Sequence, residues 1–208
     1  AREPAVMSPL DFADVKICAQ TGTTNRDNAV DFLSTNNVKH AIVEVGGPDD
    51  MVKAYQDGRC NVLTADTSQL HALQIRLARP GAAVILPDVI SKEPLGPVVR
   101  QDDPQWFEIV KWTHFAMLDA EELGVSTKTL TAALASAKPD VKRLIGTDGN
   151  YGEQIGLTRD WVVRIVRAVG NYGESFERNV GTFSNLGIPR GLNQLWSRGG
   201  IQYAPPVR

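Results

Sequence analysis

The sequence predicts an α/β fold with a mainly parallel sheet, followed by a helical region. Strand and helix patterns alternate three times between residues 15 and 86, with loops of a few residues between them. Beyond residue 100 the apolar spacing is that of helices. We therefore expect an α/β domain at 15–99, a helical region at 100–208, and a tail or connection at 1–14, with right-handed crossovers in the sheet.

Short apolar runs set the strands of the α/β part. Val15, Ile17 and Ala19 form the inward-facing set of the first strand, and Gly22 permits a sharp turn after it. A helix is predicted after each of the first three strands. The remaining strands are expected at residues 40–45, 60–65 and 83–86.

The second part begins with a short predicted strand at 97–99, and Asp103-Pro104 then starts a long helix. That helix is apolar on more than one face, so we expect it to be buried or packed against something large. Helical segments are predicted at 105–123, 127–137, 141–145, 158–169, 172–179 and 192–196, before an extended tail at 199–208.

Charge and composition exclude several functional classes. The 22 Lys and Arg residues nearly balance 24 Asp and Glu residues without a run of one sign, so nucleic acid and membrane surfaces are not expected partners. No apolar stretch approaches the roughly 20 residues that span a bilayer. The chain starts without an initiator Met or an apolar signal core, so we expect any targeting peptide to have been removed.

Motifs for enzyme or metal chemistry are absent from the sequence. There is no nucleophile–base pair, no G-x-S-x-G and no Walker A lysine after Gly22. Two cysteines without CxxC spacing and three scattered histidines do not make a metal-ligand set. We therefore predict no enzyme, no metal and no cofactor.

The clearest candidate site lies where strand one ends. The turn after Gln20 carries the hydroxyls of Thr21, Thr23 and Thr24, and the following helix begins with unpaired amides that attract anions. Asp66 ends strand three. If strands one and three are neighbours, the two features face one crevice and suit a zwitterion such as an α-amino acid. The alternative is that a threonine and Asp66 are ordinary helix N-caps.

The two cysteines, Cys18 and Cys60, lie in these same predicted strands, and the same adjacency would bring them together. They are either a pair of small buried thiols or, in an oxidising compartment, a disulfide.

Several segments, in this order, closely resemble general L-amino-acid-binding periplasmic proteins of bacterial ABC importers, in the polar amino acid solute-binding protein family. The resemblance extends from about Leu10 to Arg208. The segments are Ile17–Thr24, Gly58–Asp66, Ile85–Gly96, Gln105–Phe107, Ala120–Gly124, Val169–Glu174 and Gly199–Pro206.

The resemblance implies a lobe of the periplasmic-binding-protein type II fold, in a protein that closes on its ligand by a hinge motion. Residues 15–99 correspond to the second lobe, which the chain leaves at Ser91–Gly96, and residues 100–208 to a helical C-terminal region that packs on the first lobe. The implied setting is the periplasm, with importer membrane subunits as partners and free L-amino acids as ligands.

The resemblance also assigns roles to individual residues. Gln20, Thr21, Thr23 and Thr24 would meet the ligand carboxylate, and Asp66 would hold the α-ammonium group. It further implies a Cys18–Cys60 disulfide, which a periplasm allows.

The chain departs from the family in one major respect, because nothing in it matches the first lobe, including an Arg that pairs with the ligand carboxylate. We therefore expect a truncated family member that binds weakly. We also expect apolar residues such as Phe107, Phe115 and Trp161 to be exposed and to cause self-association. The alternative function is a structural or interaction remnant with little or no ligand binding.

Overall fold

The structure is a computed structural model that describes residues 7–12 and 14–208. It divides into two compact units, residues 1–95 and residues 96–208. The predicted tail at 1–14 falls partly outside the described residues, and its described part contains a 3-10 helix at Pro9–Asp11.

The first unit confirms the predicted α/β class. Over its described residues the sheet has the order β2-β1-β3 with every pairing parallel, so β1 is central. The elements are β1 Val15–Gln20, α1 Thr24–Thr35, β2 His40–Val45, α2 Pro48–Gln56, β3 Val62–Leu63, α3 Thr67–Gln74 and a 3-10 helix Pro80–Ala82.

The alternation of side chains along β1 gives this unit apolar packing on both faces of the sheet. Val15 and Ile17 pack with Leu33 of α1 on one face. Cys18 points to the opposite face and packs in a second cluster that includes Met51 of α2 and Leu73 of α3. Helices therefore cover both sides of the central strand, which explains its nearly continuous burial.

Two predicted strands are wrong. Residues 83–86 and 97–99 belong to no helix or strand and pair with no strand among the described residues. Val84 and Val98 are largely exposed, and Pro97 has no amide proton for a ladder. An apolar run becomes a strand only where a neighbouring backbone pairs with it. The third strand is also shorter than the predicted 60–65, since pairing covers only Val62–Leu63.

The second unit is helical, as predicted. Its longest helix, α4, contacts α6, α8 and α9. The core includes Ala116 and Ala120 of α4 together with Val162 and Val166 of α8. The elements are α4 Pro104–Glu122, α5 Leu130–Leu134, α6 Pro139–Ile145, α7 Tyr151–Gln154, α8 Trp161–Val169, α9 Tyr172–Asn179 and 3-10 helices Gly191–Asn193 and Trp196–Arg198.

Several helix bounds differ from the prediction. The helix predicted at 127–137 is the five-residue α5, and the one predicted at 192–196 is replaced by two 3-10 turns around the bridge between Leu195 and Gln202. The predicted tail also takes part in this bridge. Helix α7 was not predicted. Among the described residues, no helix is both long enough and apolar enough to cross a bilayer.

The expected exposure of three aromatic residues is met only in part. Phe107 is 49% exposed, whereas Phe115 is partly buried. Trp161 is only 5% exposed because it packs in the core of the second unit, so its expected exposure is wrong.

A buried ion pair joins α4 to the C-terminal segment, residues 190–208. The guanidinium of Arg190 donates to both carboxylate oxygens of Glu121, at 3.2 and 3.1 Å, and both side chains are more than nine-tenths buried. Arg190 also lies over the rings of Tyr172 and Phe176, at 5.2 Å from each centroid. A Cβ at Gly173 would approach the two charged groups to about 3 Å, so this position of α9 favours glycine.

We expect Glu121→Ala to lower the free energy of unfolding by about 3 kcal/mol, because it leaves the buried guanidinium of Arg190 without its anion. Urea unfolding followed by circular dichroism measures this loss. The control is Glu153→Ala, which removes an exposed pair with Arg159 and should cost less than about 1 kcal/mol. Equal effects of the two substitutions would contradict a structural role for the buried pair.

The disulfide between Cys18 and Cys60 gives a second prediction. The two residues are 42 positions apart in sequence, so the bond closes a long loop in the unfolded chain. We expect the Cys18→Ala, Cys60→Ala double variant to lose about 4 kcal/mol of unfolding free energy. Reductant should destabilise the native protein under the same urea series and leave the double variant unchanged. If reductant shifts both proteins equally, the bond is not the cause.

Candidate functional site

The candidate site lies at the carboxyl edge of the sheet in the first unit. Strand β1 pairs with β3 in parallel, with Ile17 opposite Val62 and Cys18 opposite Leu63. This confirms the predicted adjacency of strands one and three. The ladder continues with a bond from the amide of Thr64 to the carbonyl of Cys18, at 3.2 Å.

This register brings the predicted site residues to the same edge. Thr21 lies three residues beyond Cys18, and Asp66 lies three residues beyond Leu63. Because neighbouring strands are about 4.8 Å apart, the turn after β1 and the residue before α3 emerge side by side from the sheet. The amide of Thr21 donates to the carbonyl of Val45 at 3.0 Å, which fixes the start of the turn against β2.

The N-terminus of α1 follows this turn. Gly22 has a φ of +74°, a left-handed conformation that favours glycine, and Thr23 is the N-cap residue. Thr23 therefore occupies the N-cap position that the alternative interpretation expects, but its side chain makes no capping hydrogen bond. The first amides of a helix have no partner within the helix, and here the N-cap side chain supplies none. This end of α1 therefore suits an anion.

The threonine hydroxyls already donate hydrogen bonds within the unit. Thr23 Oγ1 donates to the carbonyl of Gln20 at 2.8 Å, and Thr21 Oγ1 donates to the carbonyl of Val45 at 3.3 Å. Thr24 Oγ1 makes a long bond of 3.4 Å to Glu93. Main-chain amides are consequently the better-placed donors for an anion at this turn.

Asp66 occupies the N-cap position of α3, but its carboxylate makes no capping hydrogen bond. It is half-buried and forms no salt bridge with the other described residues. The alternative interpretation of Asp66 as a helix N-cap is therefore confirmed for its position but not for a capping hydrogen bond. Its negative charge remains available beside the turn after β1.

Glu93 is a residue near the site that sequence reasoning missed. Its Oε1 accepts a hydrogen bond from Asn28 Nδ2 at 3.0 Å, in addition to the long contact with Thr24. The carboxylate therefore lies beside the first turns of α1. The only available signal was its place in the Ser91–Gly96 segment, which we interpreted as the exit from the lobe.

The disulfide implied by the family resemblance is present. Cys18 and Cys60 are bonded, with their Cα atoms 5.6 Å apart, and both side chains are buried. The bond links β1, two residues before Gln20, to the segment that enters β3. Within the described part of the chain, no group of three or more His, Cys, Asp or Glu side chains could hold a metal ion.

Comparisons with known proteins place these features in a family context. The chain is 48% identical over 205 residues to the general L-amino acid-binding periplasmic protein AapJ of Rhizobium johnstonii. It is 50% identical over 202 residues to the putative amino-acid ABC transporter-binding protein YhdW of Escherichia coli. These alignments include 98% and 97% of this chain. No family model matches the chain.

A solved structure gives the same result. The chain matches a periplasmic binding protein of an ABC transporter from Brucella ovis, with glutathione bound, at a TM-score of 0.92 and 44% sequence identity. The match includes 98% of this chain and 64% of that protein. All three relatives are binding proteins by name, and none is an enzyme.

The coverage of the relatives is partial. The chain spans 60% of the length of AapJ and 59% of YhdW. The sequence identities and the structural match show that the chain is homologous to the periplasmic amino-acid-binding proteins of ABC transporters. The homology extends over about three fifths of their length.

Proposed function

We propose that the chain is the substrate-binding component, or part of it, of an amino acid ABC importer. It binds free L-amino acids in a cleft and delivers them to the importer's membrane subunits. The names of its relatives support this function. A periplasmic location is consistent with the Cys18–Cys60 disulfide, because disulfides persist in oxidising compartments.

The observation that carries the proposal is the parallel pairing of β1 with β3. It brings an anion-attracting helix end and an unpaired carboxylate to one edge of the sheet. In the proposed complex, the ligand carboxylate accepts hydrogen bonds from amides in the first turn of α1, next to Thr23 and Thr24. The ligand ammonium group forms a charge-assisted bond with Asp66. Gln20 and Thr21 complete the wall of the site.

The domain assignment belongs to the same proposal. Residues 15–99 act as the second lobe of a two-lobed protein, and residues 100–208 as the C-terminal region that packs on the first lobe. A ligand held by one lobe keeps much of its surface in water and lacks the arginine contact implied by the family resemblance. We therefore expect dissociation constants in the millimolar range for this chain, about −4 kcal/mol of binding free energy.

Isothermal titration with Glu, Gln, Asp and Leu tests the proposal. Glutathione belongs in the series because its glutamyl residue has a free ammonium and carboxylate, and because it is the ligand of the Brucella relative. We expect Asp66→Asn to weaken binding by at least about tenfold, since the substitution removes the charge that pairs with the ammonium group.

The matched control is Asp31→Asn, at an exposed residue of α1 whose side chain forms no hydrogen bond or ion pair with the other described residues. It should leave the affinity unchanged. Failure of every ligand to produce heat at about 10 mM would reject binding by this chain. Equal affinity in the Asp66 variant and the native protein would reject the assigned role of Asp66.

A second candidate function is self-association through an apolar surface of the second unit. Val98 is 95% exposed, and Trp106 and Phe107 at the start of α4 are half-exposed. The segment 97–104 and α4 line a cavity of about 840 Å³ that includes Phe107. Exposed apolar surface of this kind is typical of an interface. The exposed apolar surface favours the alternative function expected from the sequence, which is a structural or interaction remnant with little or no ligand binding.

We expect Phe107→Ser to reduce association, because it removes apolar area at this surface. Light scattering over a concentration series measures the mean mass. Phe183→Ser is the control, since Phe183 is 84% exposed but does not line the cavity. If the protein is a monodisperse monomer that binds amino acids, the function of an interaction remnant is excluded.

A further inference from the structure

The second unit contains a smaller cavity to which the proposed function assigns no role. Its volume is about 260 Å³, and its walls come from α4, α6 and the C-terminal segment. The side chains that carry the argument are Asp119, Glu122, Asp140, Arg143, Trp196 and Tyr203.

Asp119 is the most buried charged group on the cavity wall. Only 7% of the residue is exposed, and its Oδ2 atom has no hydrogen-bond partner among the described residues. Burial of a polar atom without a partner is unfavourable, and native structures rarely tolerate it without a water, an ion or a ligand. Asp119 therefore marks the cavity as a polar binding site.

Arg143 lies on the same wall and has the opposite charge. Its Nε atom is also buried without a hydrogen-bond partner in the described part of the chain. None of the salt bridges among the described residues joins Asp119 to Arg143. A carboxylate and a guanidinium thus share one cavity without neutralising each other.

With its other charged side chains included, the cavity wall carries nearly equal numbers of carboxylates and guanidinium groups. Glu122 and Asp140 add two carboxylates, and Arg208 adds a second guanidinium. Two of the carboxylates already have partners, because Glu122 accepts from the Trp196 indole at 3.3 Å and Asp140 accepts from the amide of Val141 at 2.8 Å. Among these groups, Asp119 Oδ2 and Arg143 Nε are the buried atoms without a hydrogen-bond partner in the described part of the chain.

Two aromatic rings form the outer part of the wall. Trp196 and Tyr203 meet edge to face, with ring centroids 5.9 Å apart. Both are more than half exposed, so their free faces can cover the apolar part of a ligand or contact its cationic group.

We propose that this cavity binds a small dipolar molecule, whose ammonium group pairs with Asp119 and whose carboxylate pairs with Arg143. Such a ligand satisfies the two buried atoms, Asp119 Oδ2 and Arg143 Nε, at once, whereas a simple cation or a simple anion satisfies only one. The volume suits a molecule of amino-acid size rather than a larger metabolite. This site lies within the second unit and does not depend on the site at Asp66.

The test uses γ-aminobutyrate as the probe, with the full chain in the Asp66→Asn background so that the first site contributes at least about tenfold less. Binding is followed by NMR chemical-shift changes and by titration calorimetry. We expect a dissociation constant in the millimolar range, about −4 kcal/mol. Asp119→Asn and Arg143→Gln should each weaken binding by at least about tenfold. Butylamine and butyrate, which carry one charge each, should bind at least about tenfold more weakly than the probe.

The Asp119 variant should remain folded. Burial, with a smaller contribution from the nearby Glu122, raises the pKa of the Asp119 carboxyl to about 7, so the native environment favours an uncharged group of this shape. An ammonium ligand needs the ionised form. The affinity of the native site should therefore rise between pH 6 and pH 8, and this rise should be absent in Asp119→Asn.

Three results would overturn the proposal. The first is no binding of γ-aminobutyrate at about 50 mM. The second is equal binding by the native protein and by a folded Asp119 or Arg143 variant. The third is equal binding of butylamine and γ-aminobutyrate, which would identify a cation site without a role for Arg143.

Discussion

The pairing of β1 with β3 is the constraint on which the candidate site depends. It is a short pairing, since only two residues of β3 are in the ladder. Asn61 extends it on the amino-terminal side, where its amide donates to the carbonyl of Lys16 and its side-chain oxygen accepts from the amide of Lys16. The Cys18–Cys60 disulfide adds a covalent link at the same place. Together these contacts fix the register that brings the turn after β1 beside Asp66.

Local patterns predicted the elements that have strong signals of their own. Strand β2 and helix α9 have the predicted bounds, and α9 begins with a capping box formed by Asn171 and Glu174. The predicted strands at 83–86 and 97–99 are wrong because a strand needs a neighbouring strand to pair with. A local sequence pattern does not show whether such a neighbour is present. The sequence predicted that the threonine turn and Asp66 follow neighbouring strands, which the pairing of β1 with β3 confirms, whereas their role in binding stays a prediction. The absence of a capping bond at Asp66 and the position of Glu93 depend on side-chain geometry, which sequence does not reveal.

The second unit contains two contrasting arrangements of buried charge. Glu121 and Arg190 satisfy each other through two hydrogen bonds, and Arg190 lies over two aromatic rings, so the ion pair stabilises the fold. Asp119, two residues earlier on the same helix, has a buried oxygen with no hydrogen-bond partner among the residues that the structure describes. Because a buried polar atom without a partner is unfavourable, the ion pair is explained by the fold alone, whereas the environment of Asp119 supports the proposed ligand.

The hydrogen bonds of the threonine hydroxyls have a consequence for ligand choice. Thr21 and Thr23 direct their protons to carbonyl oxygens of the sheet edge, so these side chains shape the turn. In the proposed complex, the main chain therefore contacts the backbone part of the ligand, which is common to every α-amino acid. A protein that recognises the shared part of its ligands in this way can accept many of them, and discrimination between side chains is left to other walls of the cleft.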